Sequence, residues 1–231
     1  MATDSGAGGA DSLERVTADI VDCFACPRLV AWREQVAREK RAAFRDETYW
    51  GRPVPGFGDP RARVLIVGLA PAAHGGNRTG RVFTGDRSGD WLFAALHRAG
   101  YANQPTSVSL DDGLALTGAY IAAAVRCAPP ANKPTPVERD TCQPYLEREV
   151  ALLAGVRVFV ALGQFGFDSL CRVLGVRPKP RFGHGAEVEL DDGRFIVCSF
   201  HPSQQNTFTG RLTEAMFDEV FTRVRELSRS S

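Results

Sequence analysis

Short apolar segments alternate with segments of helical periodicity along this chain, and this alternation restricts its fold most. Three runs have the apolar, β-branched composition of buried parallel strands: residues 63–68, 119–125 and 156–162. An Asp191-Asp192-Gly193 turn is predicted to join two more short strands, the second ending at Phe200. Helical spacing predicts helices over residues 13–22, 28–44, 89–99, 137–153, 164–174 and 211–228. This order predicts a largely parallel sheet with helices on both faces.

Length and composition favour one domain. The chain has 231 residues, 44% of them hydrophobic, enough to bury a substantial core as a single α/β unit. Residues 1–12 are rich in Gly, Ala and Asp, which predicts a disordered tail before a domain at 13–231. No apolar run approaches the roughly 20 residues that cross a bilayer, and the first residues do not resemble a signal peptide. We therefore expect a cytoplasmic protein without a membrane partner.

Charge is nearly balanced overall but unevenly distributed. The net charge is +1, which does not by itself predict a strongly charged partner. Residues 172–181 nevertheless contain four basic residues and no acidic one, and residues 28–63 contain nine basic and five acidic residues. Such patches can face a phosphate backbone or simply be solvated, and the sequence leaves both possibilities open.

Three polar loops are expected at one edge of the sheet, where ligands of open parallel sheets bind. They are residues 69–89, 126–136 and 201–211. The first loop lacks the spacings GxxxxGK[ST] and GxGxxG, so an ordinary nucleotide-binding loop is disfavoured. Its glycines allow a ligand to approach the backbone closely, and Arg78 and Arg81 are candidate phosphate partners.

Two of these loops carry specific motifs. The first contains Gly68-Leu-Ala-Pro-Ala-Ala-His-Gly75, and the last begins with His201-Pro-Ser203. These motifs resemble the active-site motifs of the uracil-DNA glycosylase superfamily, in particular its family 5, the type B enzymes. The resemblance extends from Cys23 to the last helix. It implies a three-layer α/β/α sandwich with a central four-stranded, largely parallel sheet.

The resemblance also implies an activity. Such an enzyme flips uracil, and other deaminated bases such as hypoxanthine, out of double-stranded DNA and hydrolyses the bond to deoxyribose, leaving an abasic site. Cleavage produces an anionic base and a cationic sugar, so the site must stabilise both charges and place a water molecule. Lyase activity is not expected, since the lysine nearest to the motifs is Lys133. We expect a monomer.

The family pattern suggests roles for three side chains. His201 would donate to a uracil carbonyl as negative charge develops, although a structural role is the alternative for a lone histidine. Phe83 would stack on the flipped base, with simple loop packing as the alternative. Asp86 would orient water and stabilise the sugar cation. Asp90 is the less favoured acid, because its natural role is at a helix N-terminus.

The base-binding positions depart from those of other branches of the superfamily. Gly68 and Ala70 are expected to line the base site, but Ala70 stands where other branches carry Asp, Asn or Glu. Ala123 stands where related families read the base with an asparagine. Asn132 is the best substitute, since its amide offers both a donor and an acceptor. Because fewer side chains are available to recognise the base, we expect a loose specificity for the base.

The last loop is expected to enter the minor groove and fill the gap left by the flipped nucleotide. Arg211 is expected to contact a phosphate or the groove. The candidate wedge and reading residues are Gln204, Gln205, Asn206 and Phe208.

Four of the six cysteines match a cluster-binding pattern. In a cytosolic chain, structural disulfides are not expected. The resemblance implies that a 4Fe-4S cluster is held by Cys23, Cys26, Cys127 and Cys142. Four thiolates can also hold zinc, although zinc sites more often show two CxxC pairs. Cys171 and Cys198 are expected to be buried free thiols.

Two other functions compete with a repair glycosylase. One is an iron–sulfur redox protein, which would not need Phe83, Asp86, Asn132 and His201 together. The other is a non-catalytic nucleic-acid-binding module of the same fold, which would be expected to lose Asp86 or His201. The sequence retains both residues, which favours the enzyme.

Overall fold

The computed structural model describes residues 10–229. Eight helices and six strands are named here. The helices are α1 Leu13–Val21, α2 Pro27–Glu39, α3 Gly76–Thr79, α4 Arg87–Arg98, α5 Pro136–Leu152, α6 Gly163–Val173, α7 Gln204–Phe208 and α8 Glu214–Arg229. The strands are β1 Phe57–Gly58, β2 Val64–Gly68, β3 Ala119–Ala123, β4 Val158–Leu162, β5 Glu187–Glu189 and β6 Phe195–Ser199.

One six-stranded sheet forms the centre of the fold, in the order β1-β3-β2-β4-β6-β5. Its four central strands are parallel, with Ile66 paired to Ile121 on one side and to Val160 on the other. The short strands β1 and β5 pair antiparallel at the two edges. The predicted four-stranded parallel sheet is therefore present. The predicted hairpin around Asp191 is formed by β5 and β6, and the edge strand β1 was not predicted.

Helices cover both faces of the sheet, because side chains of every central strand alternate between two buried faces. On one face Ile66 and Val160 pack with Phe93 of α4 and Phe221 of α8. On the other face Leu65, Phe159 and Phe167 belong to a second core cluster beneath α5 and α6; Leu146, Leu170 and Ile196 complete its larger members. The predicted three-layer α/β/α sandwich is confirmed.

The helix boundaries differ from prediction where the backbone turns. The predicted helix 28–44 ends at Glu39, because Lys40 adopts a positive φ of 55°, and a single 3-10 turn follows at Ala42–Phe44. The short helices α3 and α7 lie within two of the polar loops and were not predicted. Each is too short to show apolar periodicity.

The N-terminal boundary of the domain also differs from prediction. Residues 1–9 of the predicted tail lie outside the described residues. Ser12 caps α1 by accepting from the Arg15 N–H, and Asp11 pairs with Arg148, so these two residues belong to the folded domain. None of the helices within residues 10–229 has the length and apolar character to span a membrane.

Candidate active site

The polar loops meet in one cavity of about 440 Å³ beyond the carboxyl ends of the parallel strands. Parallel strands place all their carboxyl ends at the same sheet edge, which is why residues far apart in sequence converge there. Seven residues singled out in the sequence line it: Ala70, Phe83, Asp86, Ala123, Asn132, His201 and Gln204. The structure thus brings these residues together around one cavity.

Phe83 lies directly over the end of β2. A Cβ atom on Gly68 would be 2.7 Å from its Cζ atom, so only glycine fits beneath the ring. Phe83 has φ +52°, a left-handed conformation that costs about 1–2 kcal/mol for a residue with a Cβ. Such strain persists only where neighbours hold it, and it is common at functional sites.

The His201 imidazole lies next to Phe83. Their ring centroids are 5.8 Å apart and the planes are inclined by 30°, and both residues line the cavity. Burial lowers the pKa of His201 to about 4, because the imidazolium form is disfavoured away from water. At neutral pH the ring is therefore uncharged and can donate one N–H to an acceptor in the cavity.

Asp86 is the N-cap of α4, where its Oδ1 accepts from the Gly89 N–H at 3.1 Å. Burial raises the pKa of this carboxyl, and the backbone hydrogen bonds of Gly89 and Ser88 offset only part of that effect. Asp90 lies exposed in the first turn of the same helix. The capping role therefore belongs to Asp86, whose carboxylate also borders the cavity.

The other positions predicted to bind the base are mostly apolar. Ala70 and Ala123 line the cavity and offer no side-chain hydrogen bond. Asn132 borders it from a 3-10 turn in which Ala131 and Asn132 both have positive φ. Asparagine tolerates this conformation better than most residues.

Arg87 and Ser88 also line the cavity and were not predicted as site residues. The guanidinium of Arg87 lies 4.3 Å from the centroid of the Phe208 ring. Arg87 and Ser88 follow Asp86 directly at the start of α4, and this position in the sequence could have indicated them.

Helix α7 borders the same cavity. Gln204, Gln205 and Phe208 are exposed on it, with 66% of Phe208 accessible. Asn206 instead donates from Nδ2 to the His201 carbonyl at 2.9 Å, so it supports the histidine loop. The exposed Arg211 places its guanidinium 4.5 Å from the centroid of the Phe200 ring.

Comparison of the sequence with known proteins identifies one family. Residues 55–225 fit the family model of the uracil DNA glycosylase superfamily. The chain belongs to the uracil-DNA glycosylase superfamily. It is 57% identical to a type-5 uracil-DNA glycosylase of Mycobacterium bovis, over 96% of this chain and 84% of that one. It is 55% identical to the type-5 enzyme of Thermus thermophilus, over 89% and 94% of the two chains. The predicted resemblance to family 5 is confirmed.

More distant relatives belong to another type. A type-4 uracil-DNA glycosylase of Pyrobaculum aerophilum is 32% identical over 67% of this chain and 74% of the relative.

Two arginines expected to contact phosphate are instead buried within this glycosylase fold. Arg78 pairs with Glu47 and donates to the carbonyl oxygens of His74 and Gly85, at 2.8 and 2.9 Å. Arg81 pairs with Asp112 at 2.6 Å. Their side chains are only 8% and 3% exposed, and their guanidinium groups are already paired. Both arginines therefore fix the active-site loop, and their assignment as DNA contacts was wrong.

The four cysteines with the predicted cluster pattern line one small second cavity. Cys23 and Cys26 enter it from the segment before α2, Cys127 from the loop after β3 and Cys142 from α5. Within residues 10–229 no set of three or more His, Cys, Asp or Glu side chains is arranged to hold a single metal ion. A cubane cluster spaces its thiolates more widely than one zinc ion does, because each sulfur binds a different iron atom.

N–H groups donate to two of these sulfur atoms. Arg33 Nη1 donates to Cys127 Sγ at 3.1 Å, and the Arg126 backbone N–H donates to Cys142 Sγ at 3.3 Å. Arg33 and Arg126 are each about 1% exposed, and Nε of both arginines has no hydrogen-bond partner among the described residues. Arg126 is neutralised by its buried ion pair with Glu149. The positive charge of Arg33 and the two N–H donors nevertheless favour a negatively charged tetrathiolate group. The donor set therefore fits an iron–sulfur cluster.

Proposed function

We propose that this chain is a monofunctional uracil-DNA glycosylase that excises uracil, and other deaminated bases, from double-stranded DNA. The observation that carries the proposal is the convergence of Phe83, Asp86 and His201 in one cavity. A flipped base is a flat ring with a polar edge, and it needs a stacking surface, a hydrogen-bond donor and room. The cavity provides all three.

In this mechanism His201 stabilises the departing base. As the glycosidic bond breaks, negative charge accumulates on a carbonyl oxygen of the base. The neutral imidazole donates its N–H to that oxygen, and because it is preorganised, no rearrangement is needed during the reaction. The Phe83 ring holds the base parallel to itself during this step.

Asp86 serves the sugar and the water. The sugar becomes a cation as the base leaves, and a carboxylate beside it lowers the energy of that cation. The same carboxylate accepts a hydrogen bond from the attacking water and takes its proton as the new C–O bond forms. The departing base retains the electron pair of the broken bond, and the products are the free base and an abasic site.

The apolar lining at Ala70 and Ala123 supports broad base acceptance. A site rejects an analogue strongly when the analogue leaves buried polar groups of the site unpaired. Here Asn132 is the polar reader, and its amide can present either a donor or an acceptor. Hypoxanthine should therefore be excised along with uracil.

The exposed face of α7 supports a role in opening the duplex. Phe208 is apolar and exposed beside the cavity, which suits a wedge between base pairs. Gln204 and Gln205 can hydrogen-bond to base edges. Arg211 and Arg87 add positive charge for the phosphates, replacing the buried Arg78 and Arg81 in that role.

Cys23, Cys26, Cys127 and Cys142 are proposed to hold a 4Fe-4S cluster. When bound, the cluster supplies four metal–sulfur bonds that join the start of α2, the loop after β3 and α5. Such a cross-link would restrain residues 127–132, the segment that carries Asn132 to the cavity.

A cleavage assay on duplex oligonucleotides tests the proposal. Duplexes bearing uracil, hypoxanthine or no lesion are incubated with the protein and then treated with alkali, which breaks the strand at abasic sites. Strand breaks are expected for uracil and hypoxanthine after alkali only. Breaks without alkali would contradict a monofunctional enzyme. Tight binding of the uracil duplex without excision would favour the non-catalytic module.

A further inference from the structure

A buried polar cluster lies beneath the active-site loop, and it joins that loop to residues 107–112, which no motif covers. Its members are Arg81, Thr84, Ser107 and Asp112. We propose that Asp112 is a positioning residue for base excision, acting through Arg81 and Thr84 on the backbone of residues 83–86. This inference rests on the roles proposed above for Phe83 and Asp86.

The cluster is closely bonded. Arg81 Nη2 donates to Asp112 Oδ2 at 2.6 Å and to Ser107 Oγ at 2.9 Å. Arg81 Nε donates to Thr84 Oγ1 at 2.9 Å, and the hydroxyls of Thr84 and Ser107 are 2.7 Å apart. The side chains of Arg81 and Asp112 are 3% and 6% exposed. These bonds are therefore shielded from competition by water.

Asp112 also organises its own loop. Its carboxylate accepts from the backbone N–H groups of Val108, Ser109 and Leu114, at 2.7, 3.2 and 3.0 Å. Burial raises the pKa of Asp112, but the hydrogen bonds from Arg81 and the backbone outweigh it and lower the pKa to about 2. The group is ionised throughout the working range and acts as a permanent anchor for the Arg81 guanidinium.

The backbone link to the catalytic residues runs through Thr84 and Gly85. Gly85 donates its N–H to the Ser107 carbonyl at 2.9 Å, and its own carbonyl accepts from Arg78 at 2.9 Å. Thr84 and Gly85 thus lie between Phe83 and Asp86, held from both sides. Since Phe83 has an unfavourable positive φ, its conformation persists only while the neighbouring bonds enforce it.

A positioning role differs measurably from a role in stability alone. Under single turnover, with enzyme in excess, loss of folded protein raises the enzyme concentration needed for half-saturation and leaves the plateau rate unchanged. Misplacement of Phe83 and Asp86 lowers the plateau rate itself, and shifts of about 1 Å can reduce a rate by about 100-fold. The plateau rate is therefore the diagnostic quantity.

The test compares Asp112→Asn with Asp111→Asn on a uracil-containing duplex. Asparagine keeps the size of the anchor but removes its charge, whereas Asp111 is an exposed neighbour. Asp112→Asn should lower the plateau rate by about 10- to 100-fold, with unchanged affinity for an abasic-site duplex. Asp111→Asn should match the wild type. An unchanged plateau rate for Asp112→Asn would overturn the proposal.

Thr84→Val tests the same proposal at the other end of the cluster. If Asp112→Asn fails to fold, Thr84→Val decides whether the cluster positions residues 83–86. It removes one hydroxyl at nearly constant shape, and the plateau rate should again fall. In the double variant, the two losses of plateau rate should be less than additive, as for members of one network. A wild-type rate in Thr84→Val, or full additivity in the double variant, would contradict the proposed coupling between Asp112 and Thr84.

Asp86→Asn serves as the reference variant. A wild-type rate in Asp86→Asn would refute the proposed role of Asp86. A slow Asp86→Asn beside a fast Asp112→Asn would refute only the positioning role.

Discussion

A Cβ atom on Gly75 would lie 2.0 Å from Oδ2 of Asp86 and 2.8 Å from its Cγ. The carboxylate thus occupies the space that any side chain at position 75 would take. Gly75 is also the N-cap of α3, with φ −102° and ψ −106°. Gly75 of the first motif therefore limits where the Asp86 carboxylate can lie.

Gly75→Ala should displace the Asp86 carboxylate and slow excision. A contact of 2.0 Å cannot be tolerated, so the carboxylate must move, and a displacement of about 1 Å can cost about 100-fold in rate. Single-turnover excision of uracil measures the effect. Gly183→Ala is the matched control, because its Cβ would meet only the Ala186 Cβ, at 3.8 Å. A wild-type rate in Gly75→Ala would show that the carboxylate position is not critical.

Asp86→Asn should lower activity and raise stability together. Burial raises the pKa of Asp86, so the ionised form is less favourable in the folded protein than in the unfolded chain at neutral pH. Asparagine can still accept the Gly89 hydrogen bond without that cost. The excision rate should fall by about 10²–10³-fold, while Tm at pH 7 rises. Asp90→Asn, at an exposed position, should leave the excision rate unchanged; loss of activity there instead would transfer the proposed catalytic role to Asp90.

His201→Ala should slow base release by about 10²–10³-fold, typical for loss of one preorganised donor. Binding to an abasic-site product should be nearly unchanged, because the histidine contacts the base and not the backbone. Single-turnover rates and binding titrations separate the two effects. Weakened product binding with a normal rate would assign His201 to DNA binding.

The stability of the protein should depend on pH through the same histidine. The pKa of His201 is about 4 in the folded state and about 6.5 in an unfolded chain. As pH falls from about 6.5 towards 4, the unfolded chain takes up the proton first, so the free energy of unfolding decreases. His201→Gln, which stays uncharged, should reduce this decrease in urea titrations at pH 7 and pH 5. An equal decrease in both proteins would contradict a buried neutral imidazole.

Cys127→Ser should remove iron and lower Tm, because the proposed cluster joins α2, α5 and the loop after β3. Purified wild-type protein should be brown, with broad visible absorbance and about four iron atoms per chain. Cys171→Ser is the matched control, since Cys171 is also buried but lies on α6 in the second core cluster. Colourless protein with one zinc per chain would contradict the cluster.

Local patterns in the sequence were sufficient to predict much of this protein. The β-branched runs around Ile66 and Val160 gave the parallel strands, because burial on both faces requires continuous apolar side chains. The motifs at Gly68–Gly75 and His201–Ser203 indicated the family and the residues of the site. Each of these patterns involves only a few neighbouring residues, so it can be recognised in the sequence without knowledge of the tertiary structure.

Ion pairs between residues far apart in the sequence determined the features that the sequence did not predict. Arg78 and Arg81 looked like phosphate contacts, but their partners Glu47 and Asp112 are 31 residues away in each case. Nothing in the sequence around an arginine shows whether a distant carboxylate will reach it. The tertiary structure alone determined that these guanidinium groups are buried and paired, because chain folding, and not local pattern, brings such charges together.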